Sequence, residues 1–169
     1  EGLPSAGAYG ARFGGLVRAY TLVGYTPATD YAYLEINRKL RERHPAIVQE
    51  VIASLSEQGS SVEMDERTGL LLVNGEFWVS LVLARCQQTA GCQKRWHIRL
   101  EQGLKTDITI AVRMDEANEG IHDYYLLPTL DMNFEKLHLA EENGIFLDAY
   151  RFDDLDFFYE LAARATLAA

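Results

Sequence analysis

The sequence predicts an α+β domain. Helices come first, then a five- or six-stranded mixed, mostly antiparallel sheet, then a C-terminal helix. Three observations predict it. Apolar residues recur every three or four positions between 11 and 58, the period of a helix with one buried stripe. From 60 to 128 the pattern changes to alternation, interrupted by Asn74-Gly75, the period and turn of hairpin-linked strands. Helical spacing returns between 153 and 165. Elements segregated along a chain in this way form a sheet with helices packed on it rather than a doubly wound parallel sheet.

With 169 residues, 48 % of them hydrophobic, the chain is expected to form one domain with a sizeable core. Charged residues are 24 %, the ordinary globular value, and no low-complexity tract argues for bulk disorder. The longest apolar runs, Leu70–Val73 and Leu81–Ala84, fall far short of the ~18 residues of a membrane span. Residues 1–10 are rich in Gly, Ala, Pro and Ser and read as a loose leader to a domain over 11–169. The start, Glu1-Gly2-Leu3-Pro4, carries no Met and no signal-peptide pattern, so the chain is expected to be cut from something longer.

Each element has its own reason. Phe13, Leu16, Val17, Tyr20 and Val23 predict a short helix over 11–23. Gly24-Tyr25-Thr26-Pro27 is a turn, and Asp30 is placed to cap a second helix over 31–43. His44-Pro45 is expected to end it, because the residue before proline is pushed out of helical conformation. Pro45 would open a third helix, with the stripe Ile47, Val48, Val51, Ile52, Leu55 and a stop at Gly59. These helices make a unit over 11–58. Leu70–Val73 and Glu76–Cys86 are the arms of a hairpin, the second apolar on both faces and so expected at the sheet centre. Gln87–Gln93 reads as a loop. Lys94–Glu101 alternates, with Trp96, Ile98 and Leu100 on one face and Arg95, His97 and Arg99 on the other. Asp107–Met114 alternates as well, and Asp123–Leu127 is the last strand expected, stopped by Pro128. A short helix is expected at 134–142 and a terminal one at 153–165, with Leu155, Phe158, Tyr159 and Ala162 inside.

Charge divides the chain unevenly. The formal net charge is −9. Residues 1–114 hold 13 Lys/Arg against 12 Asp/Glu, net +1, and residues 115–169 hold 3 against 13, net −10. A uniformly acidic protein would be repelled by nucleic acid, but a nearly neutral body with local basic clusters is not. Two such clusters stand out. Arg38, Lys39, Arg41 and Arg43 lie within six residues of one helix; they form either a solvated face or a set of phosphate contacts. Arg95, His97 and Arg99 share a strand face, with Arg85 and Arg113 on neighbouring strands. Like charges arranged so cost stability unless carboxylates or an anion neutralise them. The row is therefore either salt-bridged, with Glu101 and Asp107 nearest in sequence, or an anion-binding face.

Several chemistries find no support. No GxSxG, phosphate loop or HExxH occurs. Cys86, Cys92 and His97 could be drawn as a ligand set, but zinc sites need four ligands at characteristic spacing, so two free thiols in a reducing, cytoplasmic setting are expected. Asp115, Glu116, Glu119 and Asp123 surround a loop. They read as solvated, with a hard cation as the alternative.

The helix, the hairpin, the apolar strand reaching Arg85, Lys94–Leu100, Asp107–Ile110 and Asp123-Tyr124-Tyr125-Leu126-Leu127-Pro128 together resemble the restriction-endonuclease-like PD-(D/E)XK core over about residues 46–130. The last string, and Asp148-Ala149-Tyr150-Arg151-Phe152-Asp153, are also similar to stretches of bacterial mobile-element proteins labelled as recombinases. The nuclease resemblance implies two carboxylates and a lysine around a divalent metal such as Mg²⁺. Glu50, Asp65 or Glu76 would supply the first carboxylate. The strand that should end in Glu-x-Lys reads Leu83-Ala84-Arg85, and arginine is a poor substitute for a compact ammonium. The favoured expectation is therefore a non-catalytic domain for nucleic-acid binding, DNA or RNA, or for mobile-DNA processing, without a cofactor. Metal-dependent cleavage is the first alternative. A protein–protein module is the second, using the acidic C-terminal part with Phe152, Leu155, Phe157, Phe158 and Tyr159.

Overall fold

The computed structural model describes residues 7, 11–12, 14, 16–22, 24, 32–100, 105–132 and 134–163. They fall into two compact units, 1–38 and 39–169. The first holds helix α1 (Leu16–Leu22) and the opening turns of α2 (Ala32–Glu57). Of the helix expected over 11–23, residues 11–12 and Leu16–Leu22 are helical, while 13, 15 and 23 lie outside the described residues. Gly14 takes a left-handed φ of 74°. The expected Asp30 cap lies outside the described residues, as does all of the Gly24–Pro27 turn except Gly24.

The second unit carries the main correction. The two helices expected on either side of His44-Pro45 are one helix of 26 residues, with Pro45 inside it. An internal proline removes a hydrogen bond and costs about 3 kcal/mol. Tertiary contacts offset this. Leu40, Ile47, Val48, Val51 and Leu55 are all buried, at spacings that keep one phase across the proline. His44 Nε2 lies 2.9 Å from the Leu81 carbonyl oxygen, in hydrogen-bonding contact, and so ties the proline turn to the sheet. The helix ends as expected. Gly59 has φ 83°, its N–H donates to Ser56 O, and Ser60 N–H donates to Leu55 O, which is the double bond of a glycine-closed helix end.

Six strands form a mixed sheet in the order β1-β2-β3-β6-β7-β9. They are β1 (Val62–Met64), β2 (Leu71–Val73), β3 (Phe77–Ala84), β6 (Ile108–Met114), β7 (Ile121–Pro128) and β9 (Arg151–Phe152). Every pair is antiparallel except β3 with β6. The Asn74-Gly75 turn has φ 55° and 68°, the two left-handed residues that a tight hairpin turn needs. β3 lies at the centre, as its two apolar faces require.

A second, three-stranded antiparallel sheet, β4-β5-β8, is built from β4 (Cys86–Gln88), β5 (Lys94–Arg99) and β8 (Lys136–Leu139). Three expectations are corrected here. Part of the loop expected at 87–93 is β4. The helix expected at 134–142 is β8. The strand at 121–128 is not the last. Sequential residues two apart lie about 200° around a helix but on the same side of a strand. Leu137 and Leu139 therefore reach one core together only as a strand, and both are buried.

The second sheet lies over one face of the first. Cys86, Trp96, Ile98, Leu137 and Leu139 close against Ala84, Ala111, Tyr125, Leu127 and Met132 in one apolar cluster. The other face carries Val79, Leu81, Ile110, Val112 and Leu126, all buried. α2 lies there with the terminal helix α4 (Asp156–Ala162), which follows the short α3 (Ile145–Asp148). Tyr124 projects from this face close to Glu50 and Arg43 of α2 and Tyr159 of α4, and burial raises its hydroxyl pKa. Ser60 Oγ and Asn74 Nδ2 both donate to the Ala162 carbonyl, at 2.9 and 2.8 Å, and fasten the end of α4. Among the described residues no helix is long and apolar enough to cross a membrane.

Candidate functional site

The candidate site is the outer face of the second sheet. β5 alternates cleanly. Trp96 and Ile98 are buried and His97 and Arg99 are exposed, with Arg95 half-exposed. β8 alternates in step, with Leu137 and Leu139 inward and Lys136 and His138 exposed. The register sets Gln87 opposite Arg95, His97 opposite His138, and Arg99 opposite Lys136. Three successive outward rungs thus hold Arg95, a histidine pair and an Arg–Lys pair, about 6.8 Å apart along the strands.

Among the described residues, no carboxylate neutralises the rungs. Arg95 donates to the Lys94 carbonyl and to Gln93 Oε1, at 2.7 and 2.6 Å. Gln87 Nε2 lies 3.4 Å from His97 Nδ1. The His97 and His138 rings are tilted against each other with centroids 4.2 Å apart. Among the described residues, no carboxylate forms an ion pair with Arg95, His97, Arg99, Lys136 or His138. Glu101, one of the expected partners, lies outside them. Asp107, the other, accepts the backbone N–H of Trp78 at 2.7 Å. Partial burial, then His138, then Arg85 hold the His97 imidazole below its ordinary pKa. Opposed cations directly across a sheet are destabilising.

Arg113 does not belong to this face. It is fully buried between the two sheets. Its Nε and Nη2 donate to the two carboxylate oxygens of Asp123, and Arg151 Nε donates to Asp123 Oδ2 at 2.7 Å. The Arg113 guanidinium lies 4.3 Å from the Trp96 ring centroid and 5.0 Å from that of Tyr125. The alternation placed Arg113 correctly relative to β6, but the second sheet covers that side. Arg85, just beyond β3, is half-buried and lies near enough to His97 to act on its charge.

The basic helix is partly neutralised. Arg38 pairs with Glu35 at 2.5 Å, and Arg43 Nη1 donates to the Glu119 carbonyl. Lys39 and Arg41 are exposed. Lys39, Arg41 and Arg43 belong to the stretch of α2 in the second unit, on the side of the main sheet away from β5.

The four nuclease candidates are not brought together. Glu76 and Arg85 flank opposite ends of β3, nine residues or about 30 Å apart. Asp65 closes the β1–β2 turn. Its carboxylate accepts from Thr68 Oγ1 and the Arg67 N–H, which holds its pKa down. Glu50 is exposed on α2, near Tyr124. The acidic loop also disperses. Asp115 accepts the N–H groups of Glu119 and Gly120, Glu116 accepts from Gln88, and Asp123 is buried with the arginines. Cys86 is buried and Cys92 exposed, while His97 faces outward, away from Cys86. Among the described residues, no three His, Cys, Asp or Glu side chains are grouped to hold a metal ion.

The C-terminal aromatics divide between core and surface. Leu155 and Phe158 are buried; Phe157 is exposed and stacks on Phe152 with centroids 5.1 Å apart.

Sequence reasoning missed Lys136 and His138, which complete the outer rungs. The signal was present in Lys136-Leu137-His138-Leu139, four residues of strict alternation. It was read instead as part of a helix.

The helix, hairpin and strands that carried the endonuclease resemblance over 46–130 all form in order, but the Lys94–Leu100 strand leaves the main sheet for the second one. No family model matches the chain, and no curated protein matches it. A solved structure of a bacterial homing endonuclease is similar over 70 % of this chain and 90 % of that one, at 16 % identity and a TM-score of 0.42. A likeness at that level carries no inference about what this chain does.

Proposed function

We propose that this is a non-catalytic nucleic-acid-binding domain that holds a DNA phosphate backbone on the outer face of the second sheet. One observation carries the reading: Arg99 faces Lys136 and His97 faces His138 on adjacent rungs, with no carboxylate paired to them among the described residues. Such a face is stabilised by an anion, and a polyanion can engage several rungs at once. Arg95, Arg99 and Lys136 would be the phosphate contacts, and none of them reads base sequence. Binding is therefore expected to be indifferent to sequence and steeply salt-dependent. The dispersal of Glu50, Asp65, Glu76 and Arg85 favours binding without cleavage.

The test is a fluorescence-anisotropy titration of labelled single- and double-stranded DNA between ~50 and ~200 mM salt, with Mg²⁺ present and the products run on a gel. The triple variant R95A/R99A/K136A should bind at least tenfold more weakly. It should also lower the slope of log K against log salt by about two to three, roughly one unit per lost phosphate contact. An unchanged slope would remove this face from the binding surface. Mg²⁺-dependent cutting on the gel would restore the nuclease alternative.

A further inference from the structure

We propose that the His97–His138 rung is a proton-coupled subsite for one phosphate group: it accepts a phosphodiester only as the imidazoles gain protons. The inference rests on the phosphate-binding reading above and adds its regulation by pH.

The geometry supplies the coupling. The two rings face each other at 4.2 Å between centroids, on directly opposed residues of β5 and β8. Partial burial first, and then the neighbouring His138 ring, disfavour charge on the His97 imidazole, so the empty rung favours a neutral His97. Charged and polar groups reach or flank the rung from every strand of the sheet. From the β4 side come Gln87, within hydrogen-bonding reach of His97 Nδ1, and Arg85, whose charge opposes protonation of His97. β5 itself contributes Arg95 and Arg99, one rung away on either side. β8 contributes Lys136, diagonal to His97. Glu135 and Glu141, each three residues from His138, are exposed; the Glu135 backbone carbonyl accepts from Leu100, and Glu141 pairs with Lys94.

A phosphate seated on this rung reverses the balance. An imidazolium has two N–H donors and a neutral ring has one. The anion's charge offsets the repulsion between the rings, and charge-assisted hydrogen bonds to its oxygens form on protonation. Protons and phosphate then bind with positive linkage, so affinity rises as pH falls through the imidazole range. Near neutral pH the flanking Arg95, Arg99 and Lys136 hold the backbone while the histidine rung contributes little. In mildly acid solution the rung becomes a further contact.

The experiment measures duplex DNA affinity from pH 8.5 to 5.5 at fixed ionic strength for the wild-type protein, H97Q/H138Q and R95A. Wild-type log K should rise with falling pH, by up to about one decade per pH unit for each proton taken up. H97Q/H138Q should lose that rise, whatever its affinity at pH 8.5. R95A should bind more weakly at every pH and keep the rise. A second readout needs no variant: the His97 imidazole, held below its ordinary pKa in the free protein, should titrate at higher pH with DNA than without. Salt-sensitive binding whose pH profile is the same in H97Q/H138Q overturns this inference and leaves the phosphate-binding reading standing. Absence of binding at every pH overturns both.

Discussion

Strand β5 separates two concentrations of positive charge that the molecule treats in opposite ways. On its inner side Arg113 and Arg151 share Asp123. Arg113 also donates to the Ala140 carbonyl, and Asn143 links that carbonyl to Tyr125 and Asp148. Two cations share one carboxylate, Asp123, and among the described residues no buried side-chain nitrogen or oxygen lacks a hydrogen-bond partner. On its outer side Arg99 faces Lys136 and His97 faces His138 with no described acid between them. Buried charge must be compensated within the fold, because desolvation is costly. Exposed charge is screened by water and can be left for a ligand. The inner cluster is thus a structural device, and the outer one is where a partner's charge counts. Arginine content alone distinguishes neither.

The sharpest way to break this comparison is at Asp123. Asp123→Asn keeps the shape but leaves two guanidinium groups without their shared anion. Removing one partner from a buried ion pair costs about 3–5 kcal/mol. The urea midpoint should fall accordingly, with DNA affinity per folded molecule little changed. A midpoint equal to wild type would mean that the inner cluster is as dispensable as the outer one.

Tyr125 gives a smaller effect with a pH signature. Its hydroxyl donates to Asp148 at 2.7 Å and accepts from Asn143. Burial, then the bond to Asp148, pushes its pKa up to about 12. A folded-state value above the unfolded one, about 10, means that the folded protein holds this proton more tightly. The stabilisation is complete below pH ~10 and is lost as pH rises from there to ~12. Tyr125→Phe should cost about 1–3 kcal/mol at neutral pH by leaving its partners unsatisfied, and it should flatten that alkaline decline. Denaturation midpoints of the two proteins between pH 9 and 12 would test it. Parallel declines would show that Tyr125 ionises as freely as an exposed tyrosine.

The two clusters were unequally legible in the sequence. Local signals were reliable. Asn74-Gly75 made the hairpin, Gly59 closed α2, and the alternation of Arg95-Trp96-His97-Ile98-Arg99 put the right residues outside. What failed was whatever depended on distant chain. Pro45 reads as a break because the compensation, the His44–Leu81 contact and the unbroken buried stripe, comes from tertiary packing. Arg113 reads as exposed because alternation gives the side of a strand and not what covers that side. The cover is a second sheet whose third strand, β8, was read as a helix. The same misreading hid Lys136 and His138, two bases from the acidic third of the chain. The basic face was visible in outline from β5 alone, while its cross-strand rungs required the pairing.

The smallest effect has the most diagnostic sign. Arg99→Glu would place a carboxylate opposite Lys136 and exchange repulsion for attraction. Cross-strand pairs of this kind are worth about 0.2–1 kcal/mol, so the variant should be slightly more stable than wild type although it loses a surface arginine. It should bind DNA more weakly than Arg99→Ala, since it adds a negative charge besides removing a contact. A gain in urea midpoint together with a loss of affinity would show that the outer face holds its charges at a cost in stability, as a surface kept for an anion does. A drop in midpoint would mean that Arg99 is already neutralised within the protein. The outer cluster would then differ from the inner one in exposure alone.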